Sequence, residues 1–172
     1  MGDALRLRQK LIVLQPELLA YARSLTLDIS GAEDLAHDAV VRALQSGSAP
    51  KPIADLRPWM FRIIKNLFID RKRKERVQRE FSITQNRLSD IEPAQTGDPV
   101  EALMVRQAYV KLAPREREIL CLVDILGLTY AEAATVIDVP AGTVMSRLSR
   151  ARRAMIERMG ETNVRPLRKR RG

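Results

Sequence analysis

The chain has 172 residues, 45% hydrophobic and only 4% aromatic, with a net charge of +9. That hydrophobic content supports folded cores and excludes wholesale disorder, and the length suits one ordinary domain or two small ones. There is no run of about 18 apolar residues, and the Met-Gly-Asp start carries neither a secretory nor, with Arg6, a myristoylation pattern, so the expectation is a soluble, cytoplasmic protein. The lone Cys121 excludes an intrachain disulfide or a cysteine-based zinc site, and within Ile119-Leu-Cys-Leu-Val123 it reads as a small buried hydrophobe.

Low aromatic content, the lack of period-2 runs and apolar residues spaced three and four apart predict an all-α protein. The first helix spans about Ala4 to Leu27, with Leu11, Leu14, Leu18, Ala22 and Leu25 on one stripe, and Pro16 is expected to kink or restart it. Ser30-Gly-Ala-Glu33 reads as a capping box opening a helix to about Gln45, with Ala36, Ala39, Val40 and Ala43 facing inward. Two prolines and a glycine make Ser46–Pro52 a loop, and a third helix is expected from Pro58 through Asp70 into Arg71-Lys-Arg-Lys74. Residues 82–99 lack an apolar stripe and read as a flexible linker. Beyond it, a helix is expected at Ala102–Leu112 and another from Pro114 to a glycine stop at Gly127. Thr129-Tyr-Ala-Glu132 is a second capping box, Asp138-Val-Pro140 a turn, and the last helix runs from about Ala141 to Met159. The Arg168-Lys-Arg-Arg171 tail reads as disordered.

Charge is concentrated in blocks. Residues 57–80 carry nine basic and three acidic groups, residues 102–159 nine and six, and residues 160–172 five and one, whereas residues 1–56 and 81–101 are net acidic. Separated positive blocks suit several contacts with a polyanion.

Three constellations carry the chemistry. In the last helix, Val144, Leu148, Ala151 and Met155 form the packing stripe, while Gly142, Ser146, Ser149, Arg150 and Arg153 fall on the opposite face with Thr143 and Arg147 at its edge. Small residues alternating with arginines let such a helix enter a DNA major groove, where guanidinium groups pair with guanine edges or clamp phosphates. The segment Leu56–Lys74 interleaves Trp59, Phe61 and Phe68 with Arg57, Arg62, Lys65 and a basic cluster, a pattern suited to single-stranded nucleic acid, although in a chain this poor in aromatics Trp59 and Phe68 suit a core better. Residues 32–44 place Asp34, His37, Asp38, Val41 and Arg42 outward, which suits a protein partner. The single histidine and the lack of a nucleophile–base pair, phosphate loop or metal cluster predict no enzyme, no cofactor and no metal. A stand-alone DNA-binding regulator, which would bind its sites without a further partner, is one class open at this point.

Together these segments resemble the bacterial extracytoplasmic-function (ECF) sigma factors, two-domain members of the sigma-70 group, over about residues 8–158. The resemblance implies a sigma-2-like domain at 1–80, a linker at 81–100, a sigma-4-like helix-turn-helix domain at 101–159 and a basic tail at 160–172. It implies that Asp34, His37, Asp38, Val41 and Arg42 meet the β′ clamp of core RNA polymerase. Arg57, Trp59, Arg62, Lys65, Asn66, Arg71 and Arg73 would meet the −10 promoter element, and a loop around Gly47 to Leu56 would capture a flipped base. Thr143, Ser146, Arg147, Ser149, Arg150 and Arg153 would meet the −35 element beside the β flap. Implied partners are core polymerase, promoter DNA and an anti-sigma factor; implied locations are the cytoplasm and, with polymerase, the nucleoid. His37-Asp38 stands where the family often has Gln-Glu, Leu44 where it often has Trp, and Ser149 where a bulkier residue is usual.

Overall fold

The structure, a computed structural model, describes residues 2–79 and 99–161; the expected linker and the basic tail fall almost wholly outside them. The described residues form seven α-helices and one π-helical turn. The first group is α1 (Gly2–Thr26), α2 (Ile29–Gln45) and α3 (Ile53–Arg79). The second is α4 (Pro99–Val110), α5 (Pro114–Leu120), the π turn (Cys121–Ile125), α6 (Tyr130–Ile137) and α7 (Ala141–Glu161).

In the first group the expected α1 stripe of Leu11, Leu14, Leu18, Ala22 and Leu25 is buried throughout. It packs on Ala32, Leu35, Ala39 and Ala43 of α2 and on Leu56, Met60, Phe61 and Ile64 of α3. The alanine face of α2 lets the helices approach closely, so long side chains from α1 and α3 fill the space between. Pro16 lies inside α1, which continues through it, so the helix does not restart there. Its missing N–H frees a carbonyl on the exposed side at Ile12, where water can satisfy it. Likewise α3 starts at Ile53 rather than Pro58, with Leu56 N–H donating to the Pro52 carbonyl at 3.0 Å. Pro58 leaves the carbonyl of exposed Ala54 to solvent, so a helix passes through it without loss of a buried bond. The connecting loop is therefore shorter than the sequence suggested, because Ile53–Leu56 are helical.

The α2 cap also differs from expectation. Asp28, not Ser30, takes the extended capping conformation (φ −139°, ψ 131°), and its Oδ2 accepts from Gly31 N–H at 2.8 Å. The capping carboxylate comes so near that a Cβ at Gly31 would lie 2.6 Å from Asp28 Oδ2. Leu27, which closes α1, is held at φ 57°, a left-handed conformation costly for a residue with a Cβ. A two-residue connection between antiparallel helices enforces it.

The second group is built around α7, whose Val144, Leu148 and Ala151 are buried against α5 and α6. Helix α4 begins at Pro99, earlier than the expected Ala102 and within the span expected for the linker. Glu116 accepts from the Ala113 N–H at 2.9 Å, satisfying an orphan donor at the start of α5. The π turn extends α5, with Leu126 N–H reaching back to the Cys121 carbonyl at 2.9 Å. Gly127 then stops the helix at φ 69°, in the left-handed region that glycine adopts without strain. The capping box at Thr129 and Glu132 forms in both directions, as the sequence suggested. Asp138 takes φ 55° and ψ 57° at the turn, and Pro140 accepts from Thr143 and Val144 N–H as α7 begins.

Candidate nucleic-acid and polymerase interfaces

The turn at Asp138–Pro140 sets α7 across α6 with one long side free. On that side Ser146, Ser149, Arg150 and Arg153 are exposed, and Thr143 and Arg147 are half-buried at its edge. At about 100° per residue these six positions and Gly142 occupy an arc of about 160°, centred about 150° from the buried stripe. Ser146 Oγ donates to the Thr143 carbonyl at 3.1 Å and Arg150 Nε to the Ser146 carbonyl at 3.3 Å, so both side chains lie along the helix surface. Arg147, Arg150 and Arg153 have no carboxylate partner among the described residues, which leaves three guanidinium groups available to an anion. Open space surrounds Gly142, so a duplex can approach the helix backbone there. Arg152 faces elsewhere: it forms a two-pronged contact with Asp124 of the π turn, at 3.0 and 2.6 Å. That pairing raises the Arg152 pKa and ties α7 to the end of the preceding helix.

The residues expected at the −10 element divide into two groups. Trp59, Arg62, Asn66 and Arg73 lie within about 60° of arc on α3. Arg62, Asn66 and Arg73 are exposed, and Trp59 is partly buried against the core, so its indole both packs and shows an edge. Arg57, Lys65 and Arg71 point away from that face. Arg71 reaches α2, donating to Asp38 Oδ2 at 2.6 Å and to the Gly31 carbonyl at 3.5 Å. Phe61 is fully buried edge-on to Tyr21, with ring centroids 5.2 Å apart, and Phe68 is partly buried beneath Lys72. Both serve packing.

Asp34, His37, Asp38, Val41 and Arg42 are all exposed along the outer side of α2. Asp34 and His37 also line a groove of about 650 Å³ between α1 and α2, floored by Leu11 and Leu18, with Ile12 and Leu44 on its walls. The contribution of α1 was not foreseen; the signal was Ile12 outside the core stripe, 68% exposed.

The two groups touch each other, and at that contact lie two of the residues expected to meet DNA. Glu118 of α5 is 5% exposed, and among the described residues the hydrogen-bond donors to its carboxylate come from the first group. Tyr21 Oη donates to it at 2.8 Å, and Lys65 Nζ donates to its two oxygens at 2.6 and 2.5 Å. Burial, and then the neighbouring carboxylate, push the Tyr21 pKa well above its ordinary value, so it remains a neutral donor. Arg57 pairs with Glu17 at 2.5 Å and donates to the Leu126 carbonyl, the negative end of the helix formed by α5 and its π turn. Arg117, buried, bonds the carbonyls of Leu112 (2.5 Å) and Ser24 (3.4 Å), and burial lowers its pKa. Cys121 lies in the same layer against the Ala20 carbonyl, and burial pushes its thiol up to about 11. It is a packing residue, not a reactive one.

Residues 13–77 match the Sigma-70 region 2 family and residues 102–155 the Sigma-70 region 4 family. The chain is 34% identical over 148 residues to the ECF RNA polymerase sigma factor EcfG of Rhodopseudomonas palustris, covering 85% of this chain and 81% of that protein. It is 31% identical over 155 residues to the ECF RNA polymerase sigma factor SigL of Mycobacterium tuberculosis, covering 86% and 85%. Among solved structures, it is similar to the sigma factor RpoE of Bartonella quintana, crystallised with the anti-sigma factor NepR. There the TM-score is 0.74 at 31% identity, over 91% of this chain and 98% of that one. Two helical groups in this order, each matched to its own region, place the chain in the ECF sigma factors of the sigma-70 group.

Proposed function

We propose that the chain directs promoter-specific initiation as a dissociable subunit of RNA polymerase, with the division of labour that its two groups of helices suggest. In this reading residues 1–80 form the polymerase-binding and −10-binding domain and residues 101–159 the −35-binding domain. The span 81–100 connects them, with Pro99 and Val100 already helical, and 160–172 form a basic tail. The outer side of α2, with Asp34, His37, Asp38, Val41 and Arg42, meets the β′ clamp. The face of α3 bearing Trp59, Arg62, Asn66 and Arg73 meets the opened −10 strand, joined by Arg57, Lys65 and Arg71 once they are free. The free side of α7 reads the −35 duplex, with Thr143, Ser146, Arg147, Ser149, Arg150 and Arg153, while its domain rests on the β flap. The observation that carries this reading is the free side of α7, whose three arginines have no carboxylate partner among the described residues, in a chain whose halves match regions 2 and 4. The protein performs no catalysis of its own, acts in the cytoplasm on the nucleoid, and is held in reserve by an anti-sigma factor, as its Bartonella relative is bound by one. No described helix is long and apolar enough to cross a membrane.

Transcription in vitro with bacterial core polymerase and a library of genomic fragments tests the reading. Adding the protein should yield discrete transcripts absent with core alone, from promoters sharing two short motifs. Sequence-specific DNA binding by the free protein, with no effect on transcription by core, would replace this reading with that of a stand-alone regulator.

A further inference from the structure

The contact between the two groups of helices uses up promoter-binding cations. Lys65 is half-buried with both oxygens of Glu118 on its ammonium, and Arg57 is held by Glu17 and by the end of a helix in the other domain. A carboxylate on Lys65 occupies the place a DNA phosphate would take, since both are oxyanions that accept from the same N–H donors. Arg62 also borders a crevice whose other walls are Ala134, Thr135, Asp138, Val139 and Pro140, so α6 and the recognition turn stand over this part of α3.

Size gives an independent argument. Elements at −10 and −35 are about 25 base pairs apart, or about 85 Å of duplex. A compact body of roughly 140 residues has a radius of gyration of about 14 Å, hence a diameter of about 37 Å. The closed arrangement is too small to touch both elements together. It must open to do the work proposed above.

The chemistry of the contact makes opening feasible. A buried ion pair is strongly unfavourable to half-break, because one charge stays behind without water or partner. When whole domains part, both ions regain water at once, and the cost of losing the pair is largely offset. Lys65 then exchanges Glu118 for phosphate, an exchange of like for like.

We propose that Glu118 is an autoinhibitory latch: it clasps Lys65 and Tyr21, holds the free chain closed with the −10 cations Lys65 and Arg57 engaged, and is displaced when the two domains are drawn apart on polymerase and promoter. The proposal rests on the assignment of Lys65 and Arg57 to the promoter strand. Its occupant is a segment of the same chain.

The test uses the full-length protein without polymerase, comparing wild type, Glu118→Gln, Glu118→Lys and the exchange variant Lys65→Glu with Glu118→Lys. Small-angle X-ray scattering reads compaction, and fluorescence anisotropy with a labelled mixed-sequence 20-nucleotide single strand reads access to α3. If the wild type is open about a tenth of the time, releasing the latch raises apparent affinity for the strand about tenfold. Glu118→Gln and Glu118→Lys should therefore expand the chain and tighten strand binding, and the exchange variant should be compact again. Glu118→Gln, nearly isosteric, keeps the test usable if Glu118→Lys fails to fold. Expansion without tighter strand binding, or a Glu118→Gln chain as compact and as weakly binding as wild type, overturns the latch. Promoter-specific transcription by the wild type with core polymerase is scored in parallel; its absence would defeat the sigma reading while leaving the compaction result to stand.

Discussion

Arg150 and Arg152 stand two residues apart on α7 yet do different jobs. Arg150 lies along the free side with its Nε on the Ser146 carbonyl, while Arg152 is turned to Asp124. A guanidinium that pairs with a base edge is worth about 1–3 kcal/mol of discrimination, so Arg150→Ala should weaken promoter-specific initiation by roughly fivefold to more than a hundredfold. Binding to core polymerase, measured by native gel or anisotropy, should be unchanged. Arg152→Ala should leave promoter choice intact, since its side chain is not on that face. Equal loss of promoter discrimination in the two variants would show that the faces of α7 are misassigned. Gly31 illustrates a different constraint, one of space. Its φ is ordinary, but an added methyl group meets the carboxylate that caps α2. Gly31→Ala should therefore displace the Asp28 cap and lower stability by about 1 kcal/mol, the usual worth of an N-cap. Calorimetry should show the melting temperature fall, with Asp28→Ala adding little in the double variant because both remove one interaction.

The helix ends respond to pH in a direction the structure fixes. In the capping box of α6, the Thr129 N–H and then its hydroxyl hold the Glu132 carboxyl below its ordinary pKa. A carboxyl with a depressed folded-state pKa stabilises the fold above its unfolded value of about 4.3 and loses that contribution as pH falls through the folded value. Urea unfolding should then find Glu132→Gln less stable than wild type at about pH 7, with the gap narrowing towards about pH 3 as the wild-type carboxyl protonates. This capping box was legible in the sequence because its four residues lie together and the residues beyond it are apolar at helical spacing. The buried stripes of α1 and α7 were legible for the same reason: Leu11, Leu18, Val144 and Leu148 each repeat at three or four residues. The cap of α2 was read two residues too late because Asp28 and Ser30 are both good caps, and only the backbone at Leu27 selects between them. Pro58 was mistaken for a helix start because sequence does not show that the carbonyl it leaves unpaired faces water. The splitting of the −10 set was illegible for a longer-range reason. Lys65 and Glu118 are 53 residues apart, Tyr21 and Glu118 are 97 apart, and no local pattern links them. Glu118 in the sequence is simply an acid near the start of a helix, where the dipole gives it sufficient reason to be.

At the scale of the whole molecule, the segment from Arg79 to Pro99 limits how far the domains can part. Fully extended, those twenty peptide steps span about 68 Å. The two domains, at about 80 and 60 residues, add radii of about 15 and 13 Å, for a total reach near 96 Å. This exceeds the roughly 85 Å between the two promoter elements by a narrow margin. Tethering matters because two weak contacts on one chain bind as one strong contact only when the connector spans both sites. Deleting ten residues between positions 82 and 97 would cut the reach to about 62 Å, short of the span. Such a variant should still bind core polymerase, since the α2 face is untouched. It should lose transcription from promoters that need both elements and retain what residual activity the −10 element supports alone. The measurement is multi-round transcription on one promoter with its −35 element intact or scrambled: wild type should respond to the scrambling, and the shortened chain should be indifferent to it. If the shortened chain still distinguishes the two templates, the domains are bridged by bent DNA or by a path other than the connector, and the connector's length does not limit which promoters the chain can use.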